Sequence, residues 1–255
     1  LNGGTKVGSV GGVVGDDTVT GIVLTAGIEA VEYNFCEVLP GSISGFVFVS
    51  TTEDCEHTPD SPPIAGVTIE LLNETGTVIA TTLTDANGYY LFDDLAPGTY
   101  SVHEIQPDGY FNGATHVGTA GGVLGNDVVS EIALLSGVDG INYNFCEIPP
   151  ANLCCWVYVD GNNNGQRDAG EVGIGGVTLE LKDAQGNPTG LTTVTDADGR
   201  YCFLELRPGT YTVGEIQPDG YLDGLDSAGT EGGFAQNPGD MIMGVALKPG
   251  VNADE

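Results

Sequence analysis

Gly98-Thr-Tyr-Ser-Val-His-Glu-Ile-Gln-Pro-Asp-Gly-Tyr110 returns later in the chain as Gly209-Thr-Tyr-Thr-Val-Gly-Glu-Ile-Gln-Pro-Asp-Gly-Tyr221. The first half of the phrase alternates. Tyr100, Val102 and Glu104 point one way and their neighbours the other, the period of a half-buried strand. The second half is a turn, with φ preset by Pro107 and the reversal closed by Asp108 and Gly109. A strand and turn repeated this closely mean tandem copies of one module.

Cys36 and Cys146 fix the period, since both sit in Tyr-Asn-Phe-Cys-Glu and lie 110 residues apart. The same offset aligns Gly66-Val-Thr-Ile-Glu-Leu with Gly176-Val-Thr-Leu-Glu-Leu. The expected domains are therefore 1–38, the end of one module; 39–148, a complete module; and 149–255, a module without its last strand. That outline looks like a window cut out of phase from a longer array. The linkers Val38-Leu-Pro-Gly41 and Ile148-Pro-Pro-Ala151 are short and stiffened by proline, which suits a semi-rigid rod.

The 255 residues include 41 Gly and 13 Pro between short β-branched runs, and no helical periodicity of useful length appears. The fold class is all-β, tandem prealbumin-like or Ig-like sandwiches of about 110 residues. Strands are expected near 43–49, 66–72, 77–84, 88–93, 98–105, 129–135 and 141–147. Alternation selects the core: Val47, Val67, Ile69, Leu71, Tyr90, Phe92, Tyr100, Val102, Ile132, Leu134, Tyr143 and Phe145. In the last copy it selects Val157, Val177, Leu179, Leu181, Tyr201, Phe203, Tyr211 and Val213.

Thirty-six acidic against 6 basic residues leave a net charge of −30. Such a surface repels nucleic acid and anionic membranes, and it suits a secreted protein that handles cations. No apolar run reaches membrane-spanning length.

The stretch Asp160-Gly-Asn-Asn-Asn-Gly-Gln-Arg-Asp-Ala-Gly-Glu171 carries the sharpest chemistry. Oxygen-bearing side chains stand at positions one, three, five, nine and twelve: Asp160, Asn162, Asn164, Asp168 and Glu171. Gly165 holds the sharp turn at six, and Gln166 offers its backbone carbonyl at seven. This is the ligand schedule of an EF-hand calcium loop, here between strands rather than helices. An Asn/Gly-rich hairpin that tolerates tight dihedrals is the plain alternative. Asp196 and Asp198 in the following turn could add ligands, or could simply form an Asp-Gly turn.

The order of that loop, Gly-Ile-Gly-Gly-Val-Thr-Leu-Glu-Leu, Thr195-Asp-Ala-Asp-Gly-Arg-Tyr, Pro208-Gly-Thr-Tyr and Tyr-Asn-Phe resembles the calcium-binding B-type repeats of serine–aspartate-repeat surface adhesins. These are relatives of the collagen-adhesin B-type modules. The resemblance covers essentially the whole chain. It implies a prealbumin-like sandwich used as a stalk or spacer on bacterial surfaces. The middle copy departs from the pattern, with Ser50, Thr52, Asp54, Cys55, Thr58 and Ser61 at the ligand positions. Calcium is not expected there, and a disulfide is expected to replace it as the staple. The relatives' amide crosslink, promoted by a glutamate in the place of Glu104 or Glu215, needs a first-strand lysine. Residues 42–50 and 152–160 contain none.

All six cysteines are expected to be oxidised in an extracellular compartment. Cys36–Cys55 follows from the two lone cysteines of the first half, a closure worth roughly 3 kcal/mol. Cys146 is then expected to pair with Cys154 or Cys155, and the other with Cys202. Bonds between chains stand open.

No nucleophile elbow, phosphate loop or dinucleotide fingerprint occurs, so no enzymatic role is expected. The main reading is an extracellular, calcium- and disulfide-stabilised stalk or filament whose partners are copies of itself or adjacent repeats, head to tail. These would join by continuation of the polypeptide or by strand exchange, and continuation is the preferred account. The alternative is an adhesin or carbohydrate-binding surface module with a glycan or protein ligand. Trp156, Tyr110, Tyr221 and Phe111 are the aromatic candidates for such a platform, though core or turn packing suits them more cheaply.

Overall fold

The structure, a computed structural model of the chain, describes residues 2–52, 54–237 and 239–254. Its regular elements are all strands. Backbone packing divides it into two compact units: Leu1–Phe48, Pro63–Gln106 and Ala114–Phe145 form the first, and Val49–Pro62, Pro107–Gly113 and Cys146–Glu255 the second.

The middle copy folds into two five-stranded sheets. One runs β10 (Phe111–His116), β14 (Asn144–Ile148), β5 (Gly41–Val49) and β13 (Asp139–Gly140), with β8 (Tyr89–Leu95) also paired to β5. The other runs β11 (Val123–Leu124), β12 (Val128–Leu134), β9 (Gly98–Glu104), β6 (Thr68–Asn73) and β7 (Val78–Leu83). The seven strands expected from alternation are all present. The additional ones, β10, β11 and β13, are short or carry no apolar alternation. Every residue of Phe-Asn-Gly-Ala-Thr-His is only half-buried, so β10 leaves no periodic trace.

Ile69, Leu71, Val102, Ile132, Tyr143 and Phe145 are at most 0% exposed and form the centre of the first core. Burying side chains of this size stabilises by roughly 2 kcal/mol each. Tyr90 joins the sheets' contents to the backbone, since its hydroxyl donates to the Tyr143 carbonyl at 2.6 Å. Tyr100 and Tyr211, expected inside, sit at the rim, where their hydroxyls donate to the carbonyls of Ala96 (2.8 Å) and Arg207 (2.6 Å). Their phenolic ends thereby keep a partner, as partly buried tyrosines require.

The last copy repeats the plan. β18 (Arg200–Leu206), β15 (Ala151–Trp156) and β22 (Asn252–Asp254) form one sheet. The other is β17 (Pro188–Val194), β16 (Thr178–Asp183), β19 (Gly209–Glu215), β21 (Met241–Leu247) and β20 (Phe234–Gln236). Val177, Leu179, Leu181, Tyr201, Phe203 and Val213 are buried together, as the alternation predicts.

In residues 1–38, β1 (Asn2–Lys6) pairs with β4 (Asn34–Glu37), and β2 (Val13–Gly15) with β3 (Thr18–Thr20). These correspond to β10 with β14 and to β11 with β12, one period earlier. Their apolar face is uncovered: Phe35 is 53% exposed, whereas its counterpart Phe145 is 0%.

Candidate functional site: the loop from Asp160 to Glu171

The loop leaves β15 and is closed at its base by the Tyr158–Gly173 bridge and by Val159 N donating to Val172 O at 2.9 Å. Inside it, Asp160 accepts from Asn162 N at 3.2 Å and from Gly165 N at 2.7 Å. Burial works against the charged form of Asp160, but the backbone N–H groups of Gly165, Asn164, Asn163 and Asn162 hold its carboxyl below the ordinary range. Glu171, at the far end, accepts from Gly161 N and Asp168 N, each at 2.9 Å. The first and twelfth positions therefore tie both ends of the loop to its interior.

Positions three, five and nine converge. One carboxylate oxygen of Asp168 accepts from Asn162 Nδ2 at 2.8 Å and Asn164 Nδ2 at 2.9 Å. Each amide carries a carbonyl oxygen beside its NH2, so turning over presents an acceptor to the same point. Gly165 holds φ +73, which a glycine adopts without the strain of a Cβ. The donor set is thus all oxygen, hard and anionic, of the kind that suits calcium. Among the described residues, no three Asp, Glu, His or Cys side chains gather closely enough to hold a metal by themselves. The fit depends on the two asparagines and the loop backbone as well as the carboxylates.

The middle copy makes the same loop from other parts. Ser50 Oγ accepts from Thr52 N and Cys55 N, each at 3.4 Å, as Asp160 accepts from Asn162 and Gly165. Cys55 adopts φ +54 where Gly165 adopts +73, so the backbone bend survives the loss of glycine. Cys55 is buried and bonded to Cys146, 91 residues away.

That bond corrects the expected pairing of Cys36 with Cys55. Cys36 is the counterpart of Cys146 one period earlier, and Cys146 is the cysteine that reaches Cys55. Gly113 explains the closeness, since a Cβ there would fall 2.8 Å from Cys55 Sγ and 2.9 Å from Cys146 Sγ. The pairing of Cys146 with Cys154 or Cys155 is corrected with it. Cys154 bonds Cys202, directly opposite on β18. Cys155, pointing to the other face, remains a thiol, as does Cys36. The expectation of six oxidised cysteines therefore becomes four within the chain.

Asp196 spends its carboxylate on the turn, accepting from Asp198 N and Arg200 N at 2.9 Å each. Asp85 accepts from Asn87 N and Tyr89 N in the same manner, in a copy with no acidic loop. The turn alone accounts for Asp196. Asp198 places its carbonyl against Gly173, where a Cβ would come within 1.8 Å, so the turn packs on the loop's exit.

A second acidic group, missed by motif reading, lies in the same copy. Burial first, then Asp226, Asp240 and Asp223, push Glu215 up to about 7. Burial first, then Asp223 and Asp240, push Asp226 up to about 6. These residues fall between 215 and 240 without a motif spacing, and folding brings them together. Burial and the neighbouring aspartates both work against the charged form of Glu215. A pH effect follows. Each group holds its proton more tightly folded than unfolded, so its contribution is full below its ordinary value (4.5 for Glu215, 3.8 for Asp226) and is lost as pH rises to the folded value. With divalent cations chelated, the last copy is expected to be more stable at pH 5 than at pH 8, on the order of 2 kcal/mol after allowing for partial exposure. Glu215→Gln should remove most of that slope in calorimetry. A midpoint that rises between these pH values contradicts the assignment.

Trp156, Tyr158, Arg167, Glu171, Tyr201 and Ile242 border a cavity of about 820 Å³ beside the loop. Of the aromatic candidates, Trp156 and Tyr221 line one cavity, while Arg167 lies over Trp156 and Arg207 over Phe111. None of the described residues forms a helix long and apolar enough to cross a membrane.

The SdrD B-like domain model matches residues 41–129 and again 151–241. Serine-aspartate repeat-containing protein D of Staphylococcus aureus (strain Newman) is 34% identical over 216 residues, covering 84% of this chain and 16% of that protein. Serine-aspartate repeat-containing protein F of Staphylococcus epidermidis is 31% identical over 241 residues, covering 84% of this chain and 14% of the relative. The chain thus spans about a sixth of the length of these relatives. Among solved structures, the Bacillus anthracis TIE protein aligns with TM-score 0.35 and 16% identity over 91% of this chain and 38% of its own. A streptococcal ancillary pilin aligns with TM-score 0.35 and 19% identity over 82% and 61%. With two matched segments that together cover most of its length, each folded as a β-sandwich, the chain belongs to the SdrD B-like domain family.

Proposed function

We propose that this chain is an extracellular structural element, a stalk or filament segment of tandem β-sandwiches. Its loops are fixed by a disulfide in the middle copy and by calcium in the last. The carrying observation is that one loop shape is built twice. Where Cys55 bonds Cys146, the acidic schedule is missing; where Asp160, Asp168 and Glu171 supply it, the cysteine is glycine. Two intramolecular disulfides support an oxidising location outside the cell. Neighbouring copies of the same module are the natural partners. The structural role, rather than catalysis, is the reading that family membership and the sandwich scaffold support.

Calcium would be held by Asp160, Asn162, Asn164, Asp168, Glu171 and the Gln166 carbonyl, and it supplies charge neutralisation that draws the loop's ends together. Titration calorimetry on the intact chain is expected to show one saturable calcium site. The site should disappear in the Asp160→Ala, Glu171→Ala double variant. At a hundredfold excess over Kd, calcium should stabilise the last copy by about 2.7 kcal/mol. Heat-free titration together with a melting midpoint indifferent to chelator would refute the calcium assignment.

A further inference from the structure

Arg167 occupies position eight of the loop, between Gln166 and Asp168, and carries one of only 6 basic side chains in the protein. A guanidinium there is within its own side-chain length of the loop's carboxylates, which it could bind in a fork. It does not do so. Its Cζ lies 3.8 Å from the centroid of the Trp156 ring. Among the described residues, ion pairs join Lys6 with Glu32 and His103 with Glu70, and none involves Arg167. Arg200 stands 6.0 Å from the same centroid.

The middle copy shows what this replaces. Trp156 faces Arg200 across β15 and β18 in the register in which Phe46 faces Tyr89 across β5 and β8. There the pair is aromatic on aromatic, with centroids 5.2 Å apart. Arginine and tryptophan take over that spot in the copy whose loop is acidic. His57 stands where Arg167 does, in a loop already pinned by a disulfide.

We propose that Trp156 is a positioning residue for the cation loop: its ring holds the Arg167 guanidinium off Asp168 and Glu171, leaving those oxygens for a divalent cation. The proposal rests on the calcium reading. A cation seated on the π face is attracted by the ring's quadrupole and remains charged. Released from the ring, Arg167 becomes an internal counter-ion that competes with calcium. Trp156 thus acts through Arg167, and the two substitutions must oppose each other.

The test is calcium calorimetry on the full chain with Trp156→Ala, Arg167→Ala, the double variant and Trp156→Phe. Trp156→Ala is expected to weaken calcium about tenfold. The double variant should return to within about threefold of the unmodified protein, Arg167→Ala alone should bind as tightly or more so, and Trp156→Phe should stay close to it. A packing role for Trp156 would give no such rescue. In chelator, emission from Trp156, the only tryptophan, should shift on Arg167→Ala, which reads the stack without any metal. A double variant as weak as Trp156→Ala, an Arg167→Ala variant weakened threefold or more, or unchanged emission each overturns the proposal. These leave the calcium reading standing. Absence of calcium binding by the unmodified chain overturns both.

Discussion

Cys55→Ser is expected to lower the melting midpoint of the middle copy by about 20 °C, while Cys36→Ser leaves it unchanged. Cys55 and Cys146 are 91 residues apart, and closing a chain of that length removes about 4.5 kcal/mol of denatured-state entropy. For a module of this size, each kcal/mol moves the midpoint by several degrees. Cys146→Ser should match Cys55→Ser, and the double variant should add nothing, because both singles delete the same bond. The experiment separates two assignments. Pairing by proximity in sequence makes Cys36 the partner, and Cys36→Ser would then be as damaging as Cys55→Ser. Scanning calorimetry in which Cys36→Ser matched Cys55→Ser would overturn the assignment found in the structure. The middle loop also lacks acidic residues at its first and last positions, so added calcium should not rescue the variants.

Much of the fold was legible because sandwich strands advertise themselves by period. Ile69 and Val102 stand between polar neighbours, Leu71, Ile132 and Phe145 follow a polar one, and the structure buries them all. The repeat multiplied that signal, since each assignment could be checked one period away. The loop was legible for a different reason: its side chains lie within twelve residues, so spacing alone carries geometry. What failed was long-range. Nothing local to Cys55 says that its neighbour in space is Cys146 rather than Cys36, because the choice depends on β10 and β14 meeting the loop. β10 itself has a glycine where a side chain would strike the disulfide, and it shows no alternation. The group around Glu215 was equally hidden. Glu215 ends β19 and the three aspartates lie in the loops after it, with no motif spacing, and burial first and then like charges push Glu215 and Asp226 up.

The two copies also differ at Gly45 and Cys155, and a reciprocal exchange should show it. Gly45 lies on β5 against Tyr143, just ahead of β14. A Cβ built there falls 1.7 Å from the Tyr143 carbonyl oxygen and 3.0 Å from the Tyr90 hydroxyl. Backbone cannot yield that much without moving the strand. Moving it breaks the Tyr90–Tyr143 bond at 2.6 Å, the Tyr143 N to Ser44 O bond at 3.1 Å and the Phe46 N to Asn144 Oδ1 bond at 2.9 Å. Overpacking costs about 1–3 kcal/mol and each lost hydrogen bond about 1 more, so Gly45→Cys is expected to destabilise by about 5 kcal/mol. In the last copy that position is already Cys155. Its half-buried thiol faces Tyr201, whose hydroxyl is pushed well up by burial first and then by Cys155. Cys155→Gly removes one small side chain and should cost about 1 kcal/mol or less. The asymmetry bears on how copies join. The Tyr-Asn-Phe stretch of the middle copy passes against Gly45, and Cys155 sets a side chain at the equivalent position. A peptide with the sequence of residues 31–37 should therefore bind the Cys155→Gly variant and leave the unmodified chain alone, as read by fluorescence anisotropy. Equal binding to both, or a Gly45→Cys variant that melts within a few degrees of the parent, would remove Cys155 as the barrier to strand exchange.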